Sequence, residues 1–317
     1  MNSVLRKREV MPNRIRSLSV STSESGSALD SPGSALPRDG LPVTLPDTVQ
    51  TNRRLSYQGA VVREVPMTIE VTPVPLEEVL PLRQLYRHEM NCQIVHDSLP
   101  GRGFGNLFLI RVDGRVAGYG FVMGYRGEPK DMIQEFYVLP AYRGSALAMF
   151  RRLIEASQAR RIEVQTNDVL LTLMLYDCAT EITSDRIVFH DTLTTNLDIP
   201  GATFRRVTEA DQGRIFEHTV EPAGDWLIED DGVIVATGGI MLHYNPPYGD
   251  IYMEVDGPRR RRGYGSYLIQ ELKRACYEMG RIPAARCNAP NAASRAALQK
   301  AGLLPCARML NGILADG

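Results

Sequence analysis

The chain has 317 residues, 44% of them hydrophobic, which is enough for two domains with sizeable cores. Its 36 basic and 37 acidic residues leave a net charge of -1, which argues against nonspecific nucleic-acid binding, because that needs a basic surface. Five cysteines at 92, 178, 276, 287 and 306 form no CxxC pair and no zinc spacing, so no metal site is expected and reduced thiols in a cytoplasmic protein fit best. No apolar run approaches membrane-spanning length, and no signal-peptide core is visible.

Residues 1–66 read as a disordered N-terminal tail. The stretch SLSVSTSESGSALDSPGSA is too poor in large apolar side chains to offset the entropy of ordering. Basic residues precede it at Arg6, Lys7, Arg8, Arg14 and Arg16, and they read as a solvated tail or a targeting segment. Met67 opens the first well-patterned segment, and the tail before it is expected to be dispensable, an extension upstream of a natural start at Met67.

From Met67 the alternation of MTIEVTPV predicts a strand, and leucines at helical spacing predict a helix over 76–90. NLFLIRV and VAGYGFVMGY flank Asp113-Gly114 and predict a hairpin, since this dipeptide tolerates the positive φ such a turn needs. A strand, MIQEFYV, leads through Pro140 and Arg143-Gly144-Ser145-Ala146 into the helix LAMFRRLIEASQ. Strand IEVQTN, a helix over 169–179 and strand RIVFHDT follow, and Pro200-Gly201 marks a linker.

The second half replays this order. TFRRVTEAD predicts a strand and the start of a helix, and DWLIEDDGVIVATGGIMLHY predicts a hairpin about Asp231-Gly232. The turn glycines Gly114 and Gly232 lie 118 residues apart, while Gly144 and Gly263, Ala146 and Gly265, and the strand glutamates Glu135 and Glu254 each lie 119 apart. Such regular spacing reads as an internal repeat.

The strand ending at Glu254 and Val255 runs into Asp256-Gly257-Pro258, four arginines, and then Gly263 and Gly265 at the head of a helical pattern. Strand, glycine turn and helix form an anion-binding construction, because the first-turn N–H groups lack carbonyl partners and sit at the positive end of the helix dipole. The pattern matches neither a P-loop nor a dinucleotide-binding turn. Arg260-x-x-Gly263-x-Gly265, followed by the turn, helix and final strand NAASRAALQKAGLLPCARML, resembles the GNAT acetyltransferase family.

That resemblance implies an α/β (α+β) protein of two tandem GNAT-like domains, each a mixed, largely antiparallel sheet flanked by helices. Residues 67–199 would be a degenerate copy, with Ala141 where the family has Gln or Arg, and residues 202–317 the copy with an acetyl-CoA-binding loop. It further implies cofactor contacts from Val255, Arg260, Arg261, Arg262, Gly263, Tyr264, Gly265, Ser266, Asn291 and Ser294, with helix capping as the alternative role for Asn291 and Ser294. Backbone N–H groups around Val255 would bind the thioester oxygen.

For the proton chemistry, Glu254 is the expected base, with a solvated or ion-paired strand glutamate as the alternative. Leu298 stands where family members often place the tyrosine acid, so Tyr252, Tyr264, Tyr244, Tyr248 or a water would have to substitute, with packing in the core or at the rim as the alternative role of each tyrosine; Tyr252 is the candidate carried forward. Tyr176 occupies the corresponding helix of the first half. The aromatic and proline-rich run from His243 to Asp250 reads as a pocket wall or a rigid loop, and His243 as a structural residue or a base. The expected activity is N-acetyl transfer from acetyl-CoA to a primary amine of a small molecule, with no nucleic-acid or membrane partner. A noncatalytic acyl-CoA-binding sensor or scaffold, and a pure interaction protein, are the alternatives. Oligomeric state is not legible.

Overall fold

The structure is a computed structural model that describes residues 67–94, 98–125 and 127–315; the reading of residues 1–66 falls outside the described residues. Its elements are, in order, β1 (Ile69–Val74), α1 (Leu76–Met90), α2 (Ser98–Gly101), β2 (Gly105–Val112), β3 (Arg115–Met123), β4 (Met132–Val138), α3 (Ala146–Ser157), β5 (Arg161–Gln165), α4 (Val169–Cys178) and β6 (Ala179–Asp191). After the linker come β7 (Thr203–Arg206), β8 (Trp226–Asp230), β9 (Val233–Met241), β10 (Tyr248–Val255), α5 (Tyr264–Glu278), β11 (Ile282–Asn288), α6 (Ala292–Lys300) and β12 (Leu303–Leu314).

All twelve strands form one large mixed sheet, ordered β1-β2-β3-β4-β5-β12-β6-β11-β10-β9-β8-β7, with helices against it. The halves therefore do not close separate sheets. β12 of the second half pairs with β5 of the first, and β6 of the first half pairs with β11 of the second. The exchanged strands also pair with each other along most of their length, from Leu303 opposite Asp191 to Leu314 opposite Ala179. Alternating polarity marks a strand without naming its neighbour, and two related halves offer equivalent open edges. Consistent with the shared sheet, one compact unit contains both halves.

Each half has one sheet face covered by its glycine-turn helix. Met149, Phe150 and Leu153 of α3 bury against Ile110, Val122 and Phe136, and Leu268 and Leu272 of α5 bury against Ile228, Val235 and Ile251. On the opposite face the halves differ. In the first half α1 covers β2, β3 and β4 with Val79, Leu82 and Tyr86, each nearly or wholly withdrawn from water. Burying side chains of this size contributes about 1.5–3 kcal/mol apiece.

The helix start expected after β7 is confined to a single 3-10 turn, Glu209–Asp211, and the chain then crosses to β8 as a loop. Two causes are visible. Gly213 takes φ +86, and the stretch that follows carries no apolar stripe for a helix to bury. Arg205, Asp211, Arg214 and Glu229 tie this turn down instead, with Arg205 Nη1 to Asp211 Oδ2 at 2.7 Å.

Sheet register also corrects the repeat. Measured from the two hairpin turns, Tyr119 corresponds to Thr237, and these pair with Tyr137 and Glu254 respectively. Glu254 is thus the counterpart of Tyr137, 117 residues earlier, and Glu135 is the counterpart of Tyr252. The common spacing of 119 arose because residues 256–262 form a loop two residues longer than residues 139–143.

Candidate active site

β10 and β11 run parallel but pair only from Tyr248 opposite Ile282 to Asp250 opposite Ala284. Beyond that point they diverge, and a cavity of about 90 Å³ opens between them, lined by Tyr252, Met253, Arg286, Ser294, Leu298 and Glu221 among others. Strand alternation fixes the donors that face it. Asp256 donates its N–H to Val235 O on β9, so Val255 and, two residues earlier, Met253 direct theirs to the β11 side. Val255 is the last residue of β10, at its open end.

The loop after β10 delivers α5 to the mouth of this gap. Gly263 precedes the helix with φ +94, in the region that favours glycine, and Arg261 takes φ 65 beside it. Tyr264, Gly265 and Ser266 are the first turn of α5 and have no intrahelical acceptor for their N–H groups. Gly265 faces the end of β10, where an added Cβ would lie 3.1 Å from Met253 Cε. Arg260 folds back, its Nε donating to Val255 O at 3.2 Å, while Arg261 and Arg262 are exposed. The Tyr264 side chain is spoken for, because its hydroxyl donates to Asp230.

At the other rim, Asn291 caps α6 by accepting the Ser294 N–H at 3.0 Å, while Ser294 itself lines the cavity. Leu298 also lines it, 4% exposed, so the cavity wall has a leucine at this position.

The acidic and phenolic candidates separate sharply. Glu254 accepts from Thr219 Oγ1 at 2.8 Å, Thr219 N at 3.2 Å, Val220 N at 3.1 Å and Glu221 N at 3.0 Å, with Arg260 Nη2 at 3.7 Å. Burial opposes its charge, but these donors outweigh burial and hold its carboxyl below the ordinary range. Glu254 does not line the cavity, and its lone pairs are committed to the 219–221 loop.

Tyr252 is half-buried, with its hydroxyl unpartnered among the described residues, and burial followed by Asp225 and Glu221 raises its pKa. Its ring lies over Gly239, where a Cβ would come within 2.6 Å of the hydroxyl. Tyr248 donates to Asn91 Oδ1, and Tyr244 is fully buried, which removes both from the cavity chemistry. His243 pairs with Asp250 at 3.3 Å, and Arg286 approaches the same carboxylate at 3.7 Å.

Glu221 was not legible in the sequence, because it lies in the patternless loop that replaces a helix. It lines the cavity, and burial followed by Asp250 pushes its carboxyl above the ordinary range. The described residues hold no cluster of metal-ligating side chains and no helix long and apolar enough to cross a membrane. All five cysteines are free thiols.

The first half has the same gap, narrowed to a cavity of about 10 Å³. β4 and β5 pair only at Met132 and Ile133 before diverging, but Gln134 Nε2 donates to Glu163 Oε1 at 2.7 Å across the opening. Its loop does carry a cation in the Arg260 place, contrary to the reading from Ala141. Arg143 Nε donates to Val138 O at 3.1 Å and its head is ion-paired with Glu89. Tyr176, noted above in the corresponding helix of the first half, is on an exposed part of α4.

Known proteins share this fold. The model of the acetyltransferase (GNAT) family matches residues 194–303. A GNAT-family acetyltransferase from Colwellia psychrerythraea superimposes with a TM-score of 0.58 at 14% identity, over 78% of this chain and 100% of that one. A tandem GNAT protein from the clavulanic acid biosynthesis pathway superimposes with a TM-score of 0.52 at 12% identity, over 79% and 100%. No curated protein matches the sequence. The described fold is therefore GNAT-like throughout, and within it residues 194–303, which contain the open gap and its loop, match the GNAT acetyltransferase family itself.

Proposed function

We propose that the protein is an N-acetyltransferase that moves an acetyl group from acetyl-CoA to a primary amine of a small molecule, using the gap between β10 and β11. The observation that carries this reading is the gap itself, which opens beside unpartnered N–H groups of the α5 first turn. Residues 202–317 supply the site. Residues 67–199 are a degenerate copy whose own gap is bridged, and they complete the second half's sheet by donating β6. The free cysteines suit a reducing, cytoplasmic setting.

The residues present suit acetyl-CoA. N–H groups at Tyr264, Gly265 and Ser266 and the exposed guanidiniums of Arg261 and Arg262 would hold its phosphates, and Ser294 and Met253 face the path of its arm. Bound there, it would supply the acetyl group as an activated thioester. The N–H groups of Val255 and Met253 are held by strand geometry and aimed where negative charge develops on the acyl oxygen, an arrangement that contributes about 3–4 kcal/mol in acyl-transfer sites. Tyr252, kept protonated by its surroundings, donates the proton that a leaving thiolate needs. Leu298 and Ile269 form an apolar wall that limits water.

The test is thiol release. Incubated with acetyl-CoA and a panel of primary amines, the protein should liberate free CoA thiol with at least one of them and form the acetylamide, measured by mass spectrometry. Leu298, in place of the family's usual tyrosine, favours the second reading, a noncatalytic acyl-CoA-binding protein. Tight acetyl-CoA binding with no thiol release across the panel would establish that reading and remove the enzyme.

A further inference from the structure

We infer that Glu221 is the base that takes the proton from the acceptor amine, and that Glu254 is the positioning residue that holds it over the cavity. This rests on the acyltransferase reading.

Three observations converge. Glu221 lines the same cavity as Tyr252. Its own N–H and those of Thr219 and Val220 all end on the Glu254 carboxylate, so the loop has one pinned backbone segment and Glu221 is part of it. A carboxylate that already accepts four hydrogen bonds offers poor access to a substrate proton, whereas no hydrogen bond from the described residues engages the Glu221 side chain. The charged groups that act on Glu221 are Asp250 and Glu254, which raise its pKa, and Arg286 and Arg186, which lower it. Burial is the largest influence, and the net direction is up, toward the range useful to a base at neutral pH.

The absence of a helix here makes this possible. In the first half the place of Tyr252 is held by Glu135, sealed under α1 by Arg83, whereas in the second half a loop crosses the same face and presents a carboxylate.

Glu221 takes one proton from the ammonium, and the neutral amine's lone pair forms the C–N bond as the C–S bond breaks. The thiolate takes the Tyr252 proton, the amide nitrogen returns its second proton to the Tyr252 phenolate, and Glu221 releases its proton to solvent. One ammonium and one thioester become one amide, one thiol and one proton.

The experiment compares wild type, Glu221→Gln, Glu221→Asp and Glu254→Gln, using the amine that gives turnover. Glu221→Gln should keep acetyl-CoA affinity in calorimetry and lose about 100-fold in kcat/KM near pH 7. That loss should shrink as pH rises toward the amine's own pKa, where free amine needs no base. Glu221→Asp should recover part of the activity. Glu254→Gln should raise KM for the amine and lower kcat less than Glu221→Gln does. Wild-type kcat/KM and an unchanged pH profile in Glu221→Gln would overturn the assignment alone. Acetyl-CoA binding without turnover in the wild type would overturn the reading of function, and this assignment with it.

Discussion

The two halves place one scaffold in two states. On the face away from α3, the first half is closed: Arg83 of α1 donates to both oxygens of Glu135 at 2.9 and 2.7 Å, Tyr119 adds a third hydrogen bond at 2.8 Å, and Tyr86 donates to Asp168 at 2.9 Å. On the same face of the second half, Thr237 and Gly239 stand in place of Tyr119 and Phe121, and Tyr252 in place of Glu135. There the Tyr252 ring covers Gly239, Thr237 Oγ1 lies 2.9 Å from His218 Nε2, and no helix crosses the face. The difference shows that equivalent strands support a face sealed by a helix in one half and a face crossed by a loop in the other. The price of the open state is that loop 219–221 must be held by hydrogen bonds rather than by packing, and Glu254 supplies them.

The comparison is broken most severely from the closed side. Arg83→Ala leaves Glu135 buried without its partner, and loss of one member of a buried pair costs about 3–5 kcal/mol. Urea unfolding should register that loss, whereas Tyr252→Phe, at the equivalent place in the second half, should unfold like wild type and lose thiol release. Equal stability losses in the two variants would show that the second-half face is also a structural core.

A second consequence of closure is a pH dependence carried by Asp168 in the first half. Burial, opposed by hydrogen bonds from Leu171 and Tyr86, raises the Asp168 carboxyl to about 6. The folded state therefore holds this proton more tightly than the unfolded chain, so its contribution to stability is greatest below about pH 4 and is lost as pH rises through about 6. The full difference is about 3 kcal/mol. Asp168→Asn, which can still cap α4, should flatten that part of the stability profile between pH 4 and pH 7. An unchanged profile would mean that Asp168 is hydrated.

Much of the fold was legible in sequence. Turn chemistry at Asp113-Gly114 and Asp231-Gly232 fixed both hairpins, and the leucine spacing of 76–90 gave α1 its observed bounds. What was not legible has a physical reason in each case. The exchange of β6 and β12 was hidden because strand polarity does not specify an edge. The pairing of Glu135 with Glu254 failed because a two-residue difference in loop length makes equal sequence spacing coincide with unequal strand position. Of the candidate site, sequence could place the glycines after a strand and Tyr252 and Val255 within it, whereas Glu221 sits in a loop whose course is set by a distant carboxylate.

The central claim, that one half binds acetyl-CoA and the other does not, is tested most directly by matched glycine variants. Gly144 has open space and an ordinary backbone, so Gly144→Glu should fold and bind acetyl-CoA as wild type does. Gly263→Glu places a negative charge at the α5 N-terminus, and calorimetry should show acetyl-CoA affinity reduced by about tenfold or more, with Gly263→Ala as the control for strain at φ +94. The account predicts loss at position 263 alone. Loss at 144 with retention at 263 would contradict it.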